Sequence, residues 1–421
     1  VKGVPSAVFI TSGFKNFHMT SAAAEAYRRG RLAGLLCGFY PYDTIISLFG
    51  PRLIKNSVKI RKFVGRKVDV DDKYVYSAVF ADVFAEMHIL LKSISVNFPV
   101  DKIFNHLSLI LFVRKAKKIL RRNSSRIGIY HFRAAYGLSS VRYAEAMGIR
   151  TLCDHSIVHP QMLDGLITAN GCLADAPITE PKQLWAQYAL RDINSAQYVL
   201  VNSEFVKHTF ERIGWDPDRI FVVSQGVDEA FLAKIPVSRK CRPSSNLRFL
   251  FAGYFTERKG ASILLDALWK LPSTGWSLVI AGTIDPALAK PLQAAEQSLP
   301  IRYVGNLDRA TLAQEMSEAD VFVFPTWIEG SARVVFEAMA CGCYVITTDN
   351  AGSVVKDGVH GTLIPAGNVD ALKHAMEAAL SSDQIDVVGA ENAQIVKQFY
   401  TQDTYGRQLE AVYDRILSDR P

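Results

Sequence analysis

Residues 320–348 read DVFVFPTWIEGSARVVFEAMACGCYVITT. The run Val321, Phe322, Val323, Phe324 is apolar at every position, as in a parallel strand covered on both faces. A short loop with Pro325, Trp327, Glu329 and Gly330 follows. Residues 332–340 predict a helix, and residues 344–347 predict the next strand. The unit is strand, loop, helix, strand. It carries two glutamates eight positions apart. Glu329 stands in the loop at the carboxyl end of a strand, where open α/β sheets bind ligands. Glu337 falls about a turn and a half into the helix. One ligand in that crevice reaches both carboxylates.

The same rhythm extends in both directions. Upstream, strands are predicted at 248–252, 278–281 and 302–304, each followed by a helix. Downstream, residues 361–364 predict a strand and 370–380 a helix. Two further helices, near 384–398 and 404–417, end the sequence. The first half repeats the pattern with strands at 7–11, 32–39, 127–132, 150–153, 198–201 and 219–223. Thr20 or Ser21 is the expected cap of the first helix, and Ser203 caps a helix over 204–213. Residues 156–179 read as a long loop. Repeated strand–helix pairs predict an α/β protein of two Rossmann-like doubly wound domains facing a cleft. The boundary is expected in the polar, basic stretch 236–246 (PVSRKCRPSSN), between an N-terminal domain, 1–236, and a C-terminal domain, 237–400. Residues 401–421 predict a helix that crosses back to the first domain. The dinucleotide fingerprint GxGxxG is absent.

Composition limits the alternatives. The chain has 421 residues, 49% of them hydrophobic, enough for two cored domains. Six cysteines form no CxxC pair, which favours a reducing compartment. No apolar run reaches the roughly 18 residues of a membrane span, and no signal-peptide pattern opens the sequence. A cytoplasmic protein is expected. The net charge is +7, yet residues 51–125 hold sixteen Lys/Arg against six Asp/Glu. The rest is slightly acidic on balance, which argues against a nucleic-acid partner. Residues 45–125, which contain that window, break the βα rhythm and read as a basic helical elaboration. Its charge suits an anionic membrane surface or simply a solvated face. Asp69–Asp72, read DVDD, has the look of a metal-binding acidic run, but lies far from the glutamate pair and reads as a solvated turn.

Three places carry candidate chemistry. Gly253 to Gly260, GYFTERKG, follows a strand and opens a helix. Arg258 and Lys259 beside free N–H groups suit an anion such as a phosphate. Glu329 and Glu337 suit hydroxyl groups, or else a helix cap and a surface pair. Gly352-Ser353 follows the strand at 344–347, where small residues allow close backbone approach. All three fall on one edge of the second sheet. In the first domain His131, His155 and His159 are candidates. His131 with Arg133 is expected at the cleft edge, His155 at the end of a strand, and His159 in a loop.

The second half resembles the retaining glycosyltransferases of family 4, which have the GT-B fold. The matching segments are FAGYFTERKG (251–260), VFVFPTWIEGSARVVFEAMACGCYVITT (321–348) and NAGSVVKDGVHGTLIPAGNVDAL (350–372). YVLVNSEFVKHTF (198–210) and VVSQGVD (222–228) extend the match into the first half. The resemblance implies transfer of a sugar from a nucleotide diphosphate, UDP- or GDP-linked, to a glycan or lipid-linked glycan, with retention and without a metal or other cofactor. It implies that Lys259 and Arg258, near Gly253, bind the diphosphate, and that Glu329 contacts the transferred sugar. Glu337 then holds the ribose, and Gly330, Ser331, Ala332, Arg333 and Val334 offer backbone N–H groups. His155 is implied near the reacting sugar. Many members have Gly-Arg where this chain has Gly253-Tyr254, which leaves Arg258 as the replacement cation. The setting implied is cell-surface polysaccharide or glycolipid synthesis at the inner face of a membrane. A sugar-nucleotide epimerase, or a non-catalytic nucleotide-sugar-binding protein, is the alternative on the same fold.

Overall fold

The computed structural model describes residues 5–14, 18–47, 55–93, 100–237 and 246–419. Most of the expected boundary stretch, residues 238–245, lies outside them. Two parallel sheets form the frame. The first runs β1 (Ala7–Gly13), β2 (Leu32–Cys37), β3 (Val75–Ser77), β4 (Ile127–Arg133), β5 (Arg150–Asp154), β6 (Tyr198–Val201) and β7 (Ile220–Val222). Its spatial order is β3-β2-β1-β4-β5-β6-β7. The second comprises β8 (Leu247–Ala252), β9 (Trp276–Ala281), β10 (Ile301–Gly305), β11 (Val321–Phe324), β12 (Tyr344–Thr347) and β13 (Gly361–Leu363). Its order is β10-β9-β8-β11-β12-β13.

Each order reverses direction once, between β1 and β4 in the first sheet and between β8 and β11 in the second. Crossover helices leave such a strand pair in opposite directions, so a crevice opens outside their carboxyl ends. The two segments singled out from sequence, 253–260 and 325–334, are the loops that follow β8 and β11. The chain order alone therefore puts them side by side.

Burial explains why the strands form. Val321, Phe322, Val323 and Phe324 are all fully buried, since helices cover both sheet faces. Phe251 and Phe324 stack at 5.7 Å across β8 and β11. Asn392 ties the helix Ile385–Phe399 to this core. Its side-chain amide donates to Cys343 O (2.9 Å) and His360 O (2.8 Å).

Three expectations need correction. The window 45–125 is not wholly helical, because β3 adds a strand beside β2. Three residues, Val-Tyr-Ser, are too short for a period-2 signal. Residues 156–179 are not one loop, because Pro160–Thr168 is a helix whose N-cap His159 accepts from Gln161 N (3.3 Å). Proline at the first helical position was its legible mark. The first helix begins at Met19 with His18 at its N-cap, not at Thr20 or Ser21.

The final helix, Gln402–Ser418, packs on the first sheet rather than the second. Tyr405, Leu409, Tyr413 and Ile416 join a core with Val8, Ile10 and Met19. Arg29 and Arg31, around the turn before β2, hold Asp403 (2.9 Å) and Asp414 (2.8 Å) of that helix. The chain crosses between domains where Val227 N donates to Tyr400 O (2.8 Å).

Asn392→Leu keeps the volume but removes the donor to two carbonyl oxygens in the core. A loss of about 1–3 kcal/mol is expected, read as a lower midpoint in denaturant titration. An unchanged midpoint would show that these two bonds do not hold the helix.

Candidate functional site

The loop after β11 is held from several sides. Trp327 N and Thr326 Oγ1 both donate to Arg258 O, at 2.9 and 3.0 Å. Glu329 N donates to Asn350 O (3.0 Å) and Ala332 N to Ala351 O (2.8 Å). The loops after β8, β11 and β12 thus form one backbone platform. Helix Arg333–Ala340 rises from it with Ala332 at its N-cap and no side-chain cap. Its first N–H groups have no acceptor within the helix, and they carry the positive end of its dipole.

Two cations converge beside that helix start. Arg258 Nη1 lies 2.8 Å and Lys259 Nζ 3.3 Å from the same oxygen, Glu329 Oε1. Arg258 Nη1 also donates to Ile328 O (2.5 Å). Lys259 Nζ sits 4.9 Å over the Phe324 ring, a cation–π contact that directs it across the sheet edge. Gly253 has φ +136°, a backbone conformation that side chains rarely adopt, and its Cα lies next to the lysine, since a Cβ there would be in ordinary contact with Nζ at 3.4 Å. Gly260, at φ +75°, passes so close to Pro325 that a Cβ would fall 2.0 Å from its oxygen. Gly253, Arg258, Lys259, Glu329 and residues 330–334 are therefore one cluster. The side chain at Tyr254, the position of the absent arginine, is half exposed.

Glu337 stands apart from those cations, with a different set of partners. Burial pushes its carboxyl above the usual range, and Arg333 and Arg309 pull the other way. Arg309 lies 3.7 Å from Glu337 Oε1. Both arginines grip Asp228 Oδ2, at 2.6 Å from Arg309 and 2.9 Å from Arg333. Asp228 also caps the short helix Glu229–Leu232 in the crossing segment between domains. Burial opposes ionisation of Asp228, but these arginines outweigh it and lower its pKa. Sequence reading missed Arg309 and Asp228. Neither has a spacing that marks it, and Asp228 lies 81 residues from Arg309. The Arg333 side chain is turned to Asp228, which leaves its backbone N–H at the helix start. Ser331 Oγ is buried with no hydrogen-bond partner.

The first domain comes into contact at Gly330. Ser203 Oγ donates to Gly330 O (2.5 Å) while accepting from Val206 N (3.2 Å) as a helix cap. A Cβ on Gly330 would lie 1.8 Å from Ser156 O, and one on Gly352 (φ +57°) 2.0 Å from Gly330 O. Asn350 donates to both Gly171 O (2.6 Å) and Trp327 O (2.7 Å), bridging the domains. Ile328 is fully buried among first-domain residues that include Val158, Met162 and Phe205.

Beside this contact lies a cavity of about 360 Å³ at the carboxyl edge of the first sheet. Phe14, Tyr136, Trp185 and Tyr188 give it aromatic walls, and Glu86 and Asn105 give it polar groups. Asp154, His155 and Arg133 also line it. His155 donates from Nε2 to Val158 O (3.1 Å). Burial pushes it down to about 4, so its ring is neutral near pH 7. His131 is not at an open cleft edge, as expected, but fully buried within β4. It shares a hydrogen bond with Tyr413 (2.8 Å) and lies 3.4 Å from Asp154 Oδ2. Apolar neighbours alternate around it, and the crossing helix covers it. Burial opposes the charge of Asp154, but His18 and His131 outweigh that and hold the carboxyl below its usual range.

Asp69–Asp72 takes part in surface pairing. Asp69 pairs with Arg28, Asp71 with Lys73 and Asp72 with Lys67. Among the described residues no group of three or more His, Cys, Asp or Glu is placed to hold a metal ion.

Known proteins share this frame. Residues 75–231 match the family model described as Glycosyltransferase Family 4, and residues 246–382 match Glycosyl transferases group 1. A phosphatidyl-myo-inositol mannosyltransferase of Mycolicibacterium smegmatis is 30% identical over 200 residues, 46% of this chain and 51% of that protein. A D-inositol 3-phosphate glycosyltransferase of Xylanimonas cellulosilytica is 28% identical over 276 residues, 60% and 64% of the two chains. The chain thus spans about half to two thirds of the length of these curated relatives. Among solved structures, a Rickettsia africae glycosyltransferase superposes with TM-score 0.63 at 15% identity, covering 98% of this chain and 99% of that one. WaaG, a glycosyltransferase involved in lipopolysaccharide biosynthesis, gives 0.60 at 15% identity, covering 98% and 100%. Anabaena HepE with UDP and glucose gives 0.57 at 16% identity, covering 97% and 100%. These three show the fold, the GT-B arrangement of two Rossmann-like domains.

Burial of two histidines makes stability depend on pH. His155 is pushed down to about 4 and His159 to about 3, both chiefly by burial. The unfolded chain takes up their protons near pH 6.5, and the folded chain does so only far lower. Their contribution is complete above about pH 6.5 and is lost as pH falls towards 4. The melting temperature is expected to drop across that window, and less steeply in His159→Gln. An equal slope in both proteins would show that His159 is not the source.

Proposed function

We propose that this chain, whose two halves belong to the Glycosyltransferase Family 4 and Glycosyl transferases group 1 families, moves a hexosyl group from a nucleotide diphosphate to a hydroxyl acceptor. The donor is a UDP- or GDP-sugar, and the acceptor is a glycan or a lipid-linked glycan. Transfer retains the anomeric configuration and uses no metal. The observation that carries the reading is the convergence of Arg258 and Lys259 on Glu329 Oε1, beside an uncapped helix start at the β8/β11 switch point.

The chemistry asks for such a site. As the bond from the anomeric carbon to the phosphate oxygen breaks, its electron pair leaves with the diphosphate. Lys259, Arg258 and the first N–H groups of helix Arg333–Ala340 stabilise that charge as it forms. The acceptor hydroxyl attacks the anomeric carbon from the face the phosphate leaves. Its proton passes to the departing phosphate oxygen. Glu329, oriented by both cations, contacts the sugar hydroxyls, and Glu337 accepts from the ribose. Donor phosphates compete with Glu329 for Arg258 and Lys259, so binding the donor frees the carboxylate to turn to the sugar.

The cavity in the first domain suits the acceptor. Aromatic walls cover the C–H face of a polyol ring, and Glu86 and Asn105 take its hydroxyl groups. Relatives named for phosphatidyl-myo-inositol and D-inositol 3-phosphate favour a polyol of that kind. Neutral His155 lines the same cavity and donates only to Val158 O, which gives it a positioning role beside the sugar. A setting at the inner face of a membrane follows from a lipid-linked acceptor.

The first test is a thermal-shift screen with UDP-, GDP-, ADP- and dTDP-sugars, because a ligand of the folded state raises its melting point. Stabilisation by a UDP- or GDP-sugar, and transfer or slow donor hydrolysis that EDTA leaves unchanged, is expected. Loss of turnover in EDTA would end metal independence, and donor conversion without acceptor would point to an epimerase. Lys259→Ala and Glu329→Ala are each expected to lower kcat about 100-fold or more. Glu337→Gln is expected to raise the donor KM about tenfold with kcat little changed. Full turnover in Glu329→Ala would remove its assigned role.

A further inference from the structure

One wall of the first-domain cavity is a loop in a costly conformation. Residues 134–138, Ala-Ala-Tyr-Gly-Leu, join β4 to helix Ser139–Glu145. Ala135 stands at φ +75° and Leu138 at φ +44°. Both values lie in the left-handed region, where a Cβ crowds the following carbonyl oxygen. Residues other than glycine stay there only when their surroundings hold them, and such places cluster at functional sites. The loop does contain a glycine, but it serves packing. A Cβ on Gly137 would come within 2.6 Å of Phe132 and Val141.

Asp192 supplies the hold. It is fully buried on helix Leu184–Ser195. Its Oδ2 accepts from Gly137 N (2.8 Å) and its Oδ1 from Leu138 N (2.5 Å). Each carboxylate oxygen thus takes one N–H of the strained turn. Asp192 does not line the cavity, yet both segments that it joins do. On its own helix Trp185, Tyr188 and Ala189 precede it by seven, four and three residues, so they share its face, and all three line the cavity. From the loop Ala134, Ala135 and Tyr136 line it. Tyr136 packs edge-on against Phe14 (5.3 Å) and Phe112 (5.8 Å). A Cβ on Gly13 would lie 2.7 Å from the Tyr136 ring, so contact on that side is already tight. Any shift of the loop carries the ring away from Phe14 and changes the cavity. Glycine at 135 and 138 would close the same turn at little steric cost. With alanine and leucine there, the turn keeps its shape while Asp192 holds it.

We infer that Asp192 is a positioning residue for the acceptor: bonded to both N–H groups, it sets Tyr136 on the loop against Trp185 and Tyr188 on the helix, so that the cavity is shaped for a polyol ring before the ring arrives. Preorganisation of this kind removes part of the ordering cost of binding. The role deepens the proposed function and rests on the reading of this cavity as the acceptor's. Asp192 acts only through the loop and takes no part in making or breaking bonds.

Two measurements on the full chain test it. Amide hydrogen exchange reads the loop. The N–H groups of Gly137 and Leu138 are expected to be protected in the parent. Asp192→Asn, which keeps the shape but offers one oxygen instead of two, is expected to speed their exchange at least about tenfold and to leave the amides of β4 and β5 unchanged. Ligand-observed NMR with myo-inositol, D-glucose, D-mannose and N-acetyl-D-glucosamine reads the cavity. The parent is expected to bind at least one of these rings, and Asp192→Asn to bind it at least about fivefold more weakly. Adding Leu138→Gly to that variant should regain at least about half of the lost affinity, since glycine holds φ +44° without a tether. Thermal stabilisation by a nucleotide sugar, bound on the other domain, should be equal in all of these proteins. Ring affinity unaltered by Asp192→Asn overturns the inference. Faster exchange spread equally over β4 and β5 also overturns it, because that marks a residue of general stability. Silence of every ring in the parent removes the acceptor reading of the cavity, and the role of Asp192 falls with it. Absence of nucleotide-sugar stabilisation in every protein, with ring binding intact, would remove the donor reading alone.

Discussion

The molecule depends on how closely backbone from both domains can approach at Gly330. Its carbonyl accepts from Ser203 of the first domain, and a Cβ on it would strike Ser156 O at 1.8 Å. On its other side Gly352 comes near enough that a Cβ would fall 2.0 Å from the same carbonyl. A side chain at Gly330 would push the domains apart, and one at Gly352 would displace the Gly330 carbonyl that Ser203 holds. The preceding Ile328 is buried in the first domain, and Glu329 lies between the two. Burial of one such aliphatic side chain is worth about 1.5–3 kcal/mol, so this single plug stabilises the contact about as much as several surface ion pairs. The candidate catalytic carboxylate is thus positioned by the interface itself. Any opening of the domains must withdraw Ile328 and change the surroundings of Glu329 together.

The charges at the carboxyl edge of the second sheet divide into two sets. Arg258 and Lys259 lie next to the helix start and hold Glu329. Arg309 and Arg333 lie further along and hold Asp228, with Glu337 within reach of Arg309. The second set contains a residue of the crossing segment, and that segment meets the end of helix Ile385–Phe399 at Tyr400. A ligand that engages Glu337 therefore perturbs a charge network fixed to the interdomain crossing. A ligand that engages Lys259 acts on the loop that carries the plug. Two ends of one extended ligand would bear on both elements that join the domains.

Most of the frame could be read from residues alone because parallel strands covered on both faces are apolar throughout, and each ends at a turn or glycine. β3 escaped, being three residues at a sheet edge, as did helix Pro160–Thr168, whose proline start was read as a loop, and the one-turn helix Glu229–Leu232. The cluster of Arg258, Lys259 and Glu329 was legible because 253–260 and 325–334 follow neighbouring strands, so local sequence carries the juxtaposition. Asp228 and Arg309 were not legible, since only the crossing of the chain joins them. His131 shows a different limit. A histidine near a strand end was expected at the cleft edge with structural work the better reading, and Tyr413, 282 residues away, gives it that work in the core. Charge counting failed in a similar way at the basic window. The sum was right, but it did not show that Arg66, Lys67 and Lys73 are paired with Asp43, Asp71, Asp72 and Asp82 while other cations of the window stay exposed.

That crossing helix gives the first domain a second function in the fold. Gln402–Ser418 belongs to the second domain by sequence and to the first by packing, with Tyr405 and Tyr413 fully buried there. Tyr413 bonds His131, His131 approaches Asp154, and Asp154 holds His18 at the start of the first helix. Asp154 also lines the cavity. Unpaired, a buried carboxylate would cost several kcal/mol or take up a proton. Here two imidazoles, one of them fixed by the crossing helix, keep it charged. Removing the helix would therefore do more than expose a hydrophobic face. It would take away the tyrosine that orients His131, weaken the support of Asp154 and alter the charge at the floor of the cavity. The crossing helix is in this way a structural part of the cavity in the first domain.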